Sequence, residues 1–394
     1  MDNKKQSGLL PVADRIDDSN YYEKLSKEYH LAKYIILAVL LLFVLICGIA
    51  GRGGLRSENF KYFFKYFQID PFSPSPAYEG VTYTGNADMK FAIYKGDLVI
   101  LCDGNLTMYN LAGKTVMSTA TDRADAIDSG GKYLAVYKRG ATNATLYNSF
   151  SDIHTINSDD PITQVCTDAE GGFAVVSSEK GMRSAVTVYN RAFSPVYVWK
   201  SPDKYVFRAE LSDDGGLIGI FCYGADGGRQ YSEFAVRGTD GRTVCDEKYY
   251  GEQPLMIFFC DNGTSVSVTD MAVRTYSPVG EKTGETQVRG TLLLALCDGE
   301  KTVICSRRVG TSGTDVTVLD TNGNETAAYT IGAEVYSAVS DGKNIYLLGY
   351  DRVYCRGETD AEFTVTGGAL DMKLLTDGNL LICYSYGTAL LKVN

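Results

Sequence analysis

The stretch "IYKGDLVILCDGNLTMYNLAGKTVMSTA" (residues 93–120) decides how this chain is read. A Gly-containing turn, "YKGD", is followed by the apolar run "LVILC", the Asp-Gly turn "CDG", a run ending in Tyr-Asn, another Gly turn and the polar run "KTVMSTA". Asp-Gly and Asn-Gly supply the positive φ that two-residue hairpins need, so the segment predicts consecutive short antiparallel strands.

The pattern recurs down the chain. Comparable turns lie at Gly131 ("DSGG"), Gly172 ("DAEGG"), Gly216 ("DDGG"), Gly263 ("CDNG"), Gly299 ("CDGE"), Gly342 ("SDGK") and Gly378 ("TDGN"), with Gly96 first, at intervals of 35 to 47 residues. Second strands follow as "YLAVY" (133–137), "FAVVS" (173–177), "LIGIFC" (217–222) and "NIYLL" (344–348), and third strands as "ATLYNSF" and "VTVYNRAF". No segment after residue 70 has sustained helical periodicity. Four short strands at a period near 40 residues are the pattern of propeller blades. The expectation is an all-β, eight-bladed β-propeller over residues 80–394, with seven blades or a pair of β-sandwiches as alternatives. The last unit ends after its third strand, and the early strand "GVTYTG" (80–85) can supply the missing one and close the ring, leaving no open sheet edge.

Upstream, Tyr34 to Gly51 is an uncharged stretch between Lys33 and Arg52. As a helix it spans ~27 Å, near the thickness of a bilayer's hydrocarbon core. The expected organisation is a cytoplasmic head (1–33), a transmembrane helix (34–51), an aromatic juxtamembrane helix (57–69), a Pro-rich linker (70–79) and the propeller. In the juxtamembrane segment Phe60, Phe63, Phe64 and Phe67 recur at helical spacing with Lys61 and Lys65 off that face. That pattern suits a helix at the membrane interface, contacting lipid, or one docked on the following domain. Flanking positive charge is balanced across the anchor, by Arg15, Lys24, Lys27 and Lys33 against Arg52, Arg56, Lys61 and Lys65. Orientation therefore rests on the anchor's N-terminal position, which places the propeller outside the cell.

The chain resembles bacterial propellers of the YVTN and quinoprotein-like type. With its short head, single anchor and aromatic juxtamembrane stretch, it is similar to an uncharacterised family of membrane-anchored propeller proteins of Gram-positive bacteria. The resemblance covers most of the chain and implies the fold but no established activity. The WD40 signature is absent, since the single tryptophan, Trp199, is not in a Trp-Asp dipeptide. Tryptophan-docking repeats are absent too, so no quinone cofactor is implied, and no other cofactor is expected.

Candidate chemistry is sparse. Net charge is −10, and because residues 1–33 are balanced and Arg52 and Arg56 are basic, the remainder carries −12. Such a field disfavours nucleic acid as partner. There are two histidines, His30 and His154, so a histidine-based triad or metal site would fall to His154 alone, which reads as a surface loop residue. Ten cysteines include no C-x-x-C pair, and most sit in apolar strand ends such as "VILC", "MIFFC" and "LALC". They read as small packing residues, with a disulfide such as Cys297 to Cys305 left open. "LCDG" occurs twice, at 101–104 and 296–299, but in different slots of the repeat, so the copies are not expected to share a site. The turn "DTNGNE" (320–325) lacks the ligand spacing of a calcium loop, and no metal site is expected.

Loop charge carries the sharpest functional expectation. Loops joining second and third strands share one face of a propeller, and here they carry Lys138, Arg139, Lys180, Arg183, Arg229, Arg307 and Arg308. Acidic turns fill the opposite face, and Asp159, Asp160 and Glu247 dilute the basic one. A locally basic face would bind an anionic polymer, lipid headgroups or an acidic envelope protein. The expected function is a non-enzymatic interaction or ligand-binding module at the cell envelope, with no catalytic residues assigned. Alternatives are a glycan-acting hydrolase or lyase, and a receptor or accessory subunit of a membrane complex.

Overall fold

The computed structural model describes residues 29, 30, 32–42 and 80–394, apart from 111, 311 and 394. Residues 29, 30 and 32–42 are helical and exposed. This helix reaches ~21 Å, and among the described residues no helix is long and apolar enough to cross a membrane. The expected transmembrane helix is thus not seen: residues 34–42 are helical, and 43–51 lie outside the described residues. The aromatic segment 57–69, with Phe60, Phe63, Phe64 and Phe67, and the linker 70–79 also lie outside them.

Residues 80–394 form an eight-bladed β-propeller. Seven blades are four-stranded antiparallel sheets in sequential order: 90–120, 126–157, 162–201, 205–250, 254–287, 291–331 and 337–364. The eighth, 371–391, supplies three strands. All eight of the repeated turns join the first strand of a blade to its second. In the first blade Lys95 and Gly96 have φ of 50° and 78°, the pair of left-handed residues that a two-residue hairpin requires. In "DAEGG" and "DDGG" the left-handed residue is the earlier glycine, Gly171 or Gly215, rather than Gly172 or Gly216.

The first strands of successive blades touch one another around the ring, including the first strand of blade 1 with that of blade 8. They therefore line the axis, and the polar fourth strands lie outermost. Between each pair of neighbouring blades sits a separate hydrophobic core. Leu146, Ile162 and Phe173 pack between blades 2 and 3, Ile218, Val186 and Val188 between 3 and 4, and Val303, Val316 and Leu347 between 6 and 7. The second strands are buried on both faces, and Leu134–Tyr137 and Leu380–Cys383 are buried at every position. This is why they read as unbroken apolar runs, while outer strands such as Glu325–Ile331 alternate.

Residues 80–85 close the ring, though through one β-bridge, Thr82 to Gly387, and not as a full fourth strand of blade 8. Tyr83 N donates to Tyr386 O at 3.2 Å, Gly85 N to Ser385 O at 2.9 Å and Thr388 N to Val81 O at 2.9 Å. Val81 N donates to Thr388 Oγ1 at 3.0 Å. Tyr83 Oη reaches Tyr384 O at 2.9 Å and Gly387 O at 3.0 Å. Val81 is buried with Phe91 and Ile100 of blade 1 and Leu381 of blade 8. The closure predicts that Val81→Asp, which buries an unpaired charge, lowers stability to urea by about 3 kcal/mol or more. Tyr83→Phe is expected to cost about 1 kcal/mol. An unchanged urea midpoint for Val81→Asp would contradict this closure.

Candidate functional site

The two faces of the ring differ in chemistry. On the lower face, where first strands turn into second strands, the carboxylates serve their own turns. Asp168 Oδ1 accepts from Gly171 N and Gly172 N at 2.6 and 2.7 Å, and Asp214 Oδ1 from Gly216 N at 2.9 Å. Asp320 does the same in "DTNGNE", accepting from Asn322 N and Asn324 N at 2.9 Å each. No group of metal-ligating side chains assembles among the described residues.

The upper face carries the loops between second and third strands and the connections between blades. All seven basic loop residues stand there, exposed, but not as one cationic patch. Arg307 pairs with Glu334, and Arg308 with Asp315 at 3.0 Å. Arg183 hydrogen-bonds Tyr205 Oη and lies 4.8 Å from the centre of that ring, and Arg229 lies 5.0 Å from the Tyr250 ring. The backbone N–H of Arg139 donates to Asp125 Oδ1 at 3.1 Å. Lys138 and Lys180 complete the set on the hairpin tips of blades 2 and 3.

Sequence reasoning missed what else this face holds. Tyr205, Phe207, Tyr250, Tyr336, Tyr350 and Tyr386 are all at least 40% exposed, and all lie in its loops or strand ends. Met271 and Val309 sit on its hairpin tips at 52% and 86% exposure, whereas the lower face holds Val279, at 74%, in a turn and Val196, at 47%, at the start of an outer strand. A β-bulge explains Phe207. Val206 pairs with Cys222 and Arg208 with Phe221, so Phe207 is left unpaired and re-aimed towards the channel mouth. Leu255 is displaced in the same way in blade 5.

These residues frame two concavities. A groove of about 550 Å³ on blades 3 to 5 is lined by Arg183, Tyr205, Tyr223, Gln230, Tyr231 and Glu252, among others. A cavity of about 790 Å³ occupies the upper channel, lined by Phe207, Leu255 and Tyr336 and by Asp125, Asp128, Lys90, Arg139, Arg208 and Asp371. Its carboxylates are engaged by neighbours. Asp128 accepts from Thr167 N at 2.8 Å and Thr167 Oγ1 at 2.6 Å, which ties blade 2 to blade 3. Gln164 ties blade 3 to blade 4 through both backbone groups of Ala209. Glu210, which is not among the lining residues, pairs with Arg208, which is, at 3.2 Å, while the buried Arg208 Nε has no hydrogen-bond partner among the described residues. Burial raises Asp128 above the usual carboxylate range despite the Thr167 bonds. Burial also pushes Glu210 up to about 7, against the opposing pull of Arg208 and with a further push from Asp128.

Two sequence readings are corrected. His154 lies in a strand, Asp152–Asn157, not a loop, and its ring stacks on Phe193 at 4.5 Å. Cys297 does not face Cys305: strand register pairs Cys297 with Thr302 and Cys305 with Leu294. Cys297 instead meets Cys260 of blade 5, sulfur to sulfur at 3.7 Å. The two "LCDG" copies do occupy different turns. Asp103 and Gly104 form a left-handed two-residue turn at φ 49° and 74°, while the second copy opens a longer turn between Cys297 and Thr302.

The raised Glu210 value has a consequence for stability. Its protonated form favours the folded state, so that contribution is full below the ordinary value of 4.5 and is lost as pH rises through about 7. Glu210→Gln, uncharged throughout, escapes the loss. It should match wild type near pH 4 and exceed it in urea denaturation near pH 8, by up to about 3 kcal/mol. A wild type whose stability is level between those pH values would contradict the buried environment of Glu210.

Solved structures share the fold at low identity. BamB from Moraxella catarrhalis superposes with a TM-score of 0.52 at 10% identity, over 79% of this chain and 98% of that one. Sqt1 from Chaetomium thermophilum gives 0.56 at 11% identity, over 80% and 98%. A eukaryotic initiation factor gives 0.56 at 11%, over 79% and 84%. No curated protein matches the chain in sequence. The model of a family of unknown function, DUF5711, matches residues 77–381, the propeller almost entire. This chain therefore belongs to the DUF5711 family.

Proposed function

We propose that the protein is a non-enzymatic interaction module that docks a protein partner on the upper face of its propeller. The observation that carries this reading is the gathering of exposed tyrosines, Phe207, Met271 and Val309 on that face, interleaved with arginines. Tyrosine and arginine dominate the residues that carry binding energy in protein interfaces, because a large ring or a planar guanidinium buries much area at low entropic cost. The likeness to other propellers adds the scaffold only. Carboxylates interleave with the basic loops, which favours a protein surface over a uniform anionic polymer. Asp128, the buried carboxylate of the cavity lining, is held by two hydrogen bonds from Thr167, which supports binding over acid–base catalysis there.

The uncharged segment 34–51 and the aromatic, lysine-bearing segment 57–69 support a membrane-held platform with the propeller outside the cell. Carbonate washing of membranes from cells making the full chain should leave it in the pellet, and release into the wash would contradict anchorage.

Docking is tested by crosslinked recovery of partners with the full chain. Tyr350→Ala combined with Tyr386→Ala, or Phe207→Ala alone, should lower recovery of a specific partner roughly ten-fold or more. Val279→Ala on the lower face should leave it unchanged. Equal recovery by all variants, or loss confined to Val279→Ala, would overturn the assignment of the face.

A further inference from the structure

The repeat places two thiols in equivalent slots of adjacent blades. Cys260 follows the first strand of blade 5 (Pro254–Phe259), in "CDNG", and Cys297 ends the first strand of blade 6 (Thr291–Cys297), in "CDGE". The two turns are held together by the backbone: Asp261 N donates to Gly299 O at 2.9 Å, so the chains beside both thiols cannot drift apart independently. Gly299 has φ of 94°, and a side chain there would collide with Asp261, so the close approach depends on this glycine. The sulfurs stand 3.7 Å apart. A disulfide needs ~2.05 Å between sulfurs, so forming it brings the two sulfurs closer by about 1.7 Å.

We propose that Cys260 and Cys297 are a redox-active pair that forms a disulfide bolting blade 5 to blade 6, by exchange with an external disulfide. Their roles are unequal. Cys260 is buried, whereas Cys297 is partly exposed at the lower-face turn. Hydrogen bonds from the Cys260 thiol, Gly299 N–H and the Thr302 hydroxyl hold the Cys297 thiol below its ordinary range, against the opposing effect of burial. The same pairing and burial hold Cys260 well above it. The thiolate is the attacking species in exchange, so Cys297 acts first.

The steps balance as a two-electron exchange. The Cys297 thiolate attacks one sulfur of a disulfide R–S–S–R, forming Cys297–S–S–R and releasing one thiolate, which takes up a proton as RSH. Cys260 then loses its proton and attacks the Cys297 sulfur, forming the Cys260–Cys297 bond and expelling the second RSH. Two protein thiols are oxidised and one external disulfide is reduced to two thiols. The oxidant is a low-molecular-weight disulfide or a protein disulfide. Other thiols are placed differently: Cys355 Sγ donates to Thr359 O at 3.3 Å, and Cys305 is fully buried in the core between blades 6 and 7.

The test uses the folded full-length chain, exposed to glutathione disulfide, quenched by alkylation and mapped by mass spectrometry. The expected result is a linked peptide joining Cys260 to Cys297, lighter by two hydrogens than the reduced pair, reversed by dithiothreitol and accompanied by a higher urea midpoint. Cys260→Ala should instead trap glutathione on Cys297, and Cys305→Ala should leave the linkage intact. If wild type gives no linked peptide, or accumulates a mixed disulfide at Cys297 that Cys260 does not displace, the proposal is overturned. The wild-type map decides the matter even where a cysteine variant folds poorly.

Discussion

Everything in this molecule depends on packing between blades. A single four-stranded sheet here is apolar on both faces along its inner strands, so no blade can bury itself alone. Each core, such as Leu146 with Ile162 or Val303 with Leu347, takes side chains from two blades. The arrangement is satisfied only when the sheets form a closed ring, because an open row would leave two apolar faces in water. Residues 80–85 supply that condition by pairing onto blade 8 and burying Val81 against blade 1. On the upper face the loop backbones help to hold the ring, as at Ser385 and Tyr386, while exposed side chains such as Tyr350 and Val309 lie outside the cores between blades.

Much of the fold is legible in the sequence, for a local reason. Each first-to-second strand turn needs a left-handed residue, so a glycine within three residues of an Asp or Asn marks every blade from Gly96 to Gly378. Second strands buried on both faces write themselves as apolar runs. The closing strand was legible as the piece the last unit lacked. The exposed aromatic set of the upper face was not legible, because tyrosine serves both environments. Tyr94 and Tyr276 are fully buried, while Tyr350 is 70% exposed, and nothing adjacent in sequence separates them. Phe207 owes its exposure to a bulge, a feature of strand pairing that no single strand displays. The basic loops were visible as charges, but their partners, such as Glu334 for Arg307, come from other connections.

The cysteines teach the same lesson. The repeated "LCDG" drew attention to two turns that are unrelated in space. The informative pair was "CDNG" with "CDGE", whose glycines lie 36 residues apart and which the packing of blade 5 on blade 6 brings side by side. Periodicity places equivalent residues on neighbouring blades, so contact in a propeller is predicted by slot more than by tetrapeptide identity. His154 shows the limit of composition: rarity suggested chemistry or a loop, and the ring turned out to stack on Phe193.

The central claim is that the upper face is a docking surface. Hydroxyl-radical footprinting of the full chain, compared between intact cells and the purified state, tests it directly. Protection in the native setting at Tyr205, Tyr250, Tyr336, Tyr350 and Tyr386, with Val279 equally reactive in both, is the result expected. Equal labelling of those tyrosines in both settings, or protection centred on Val279 and the lower-face turns, would contradict it.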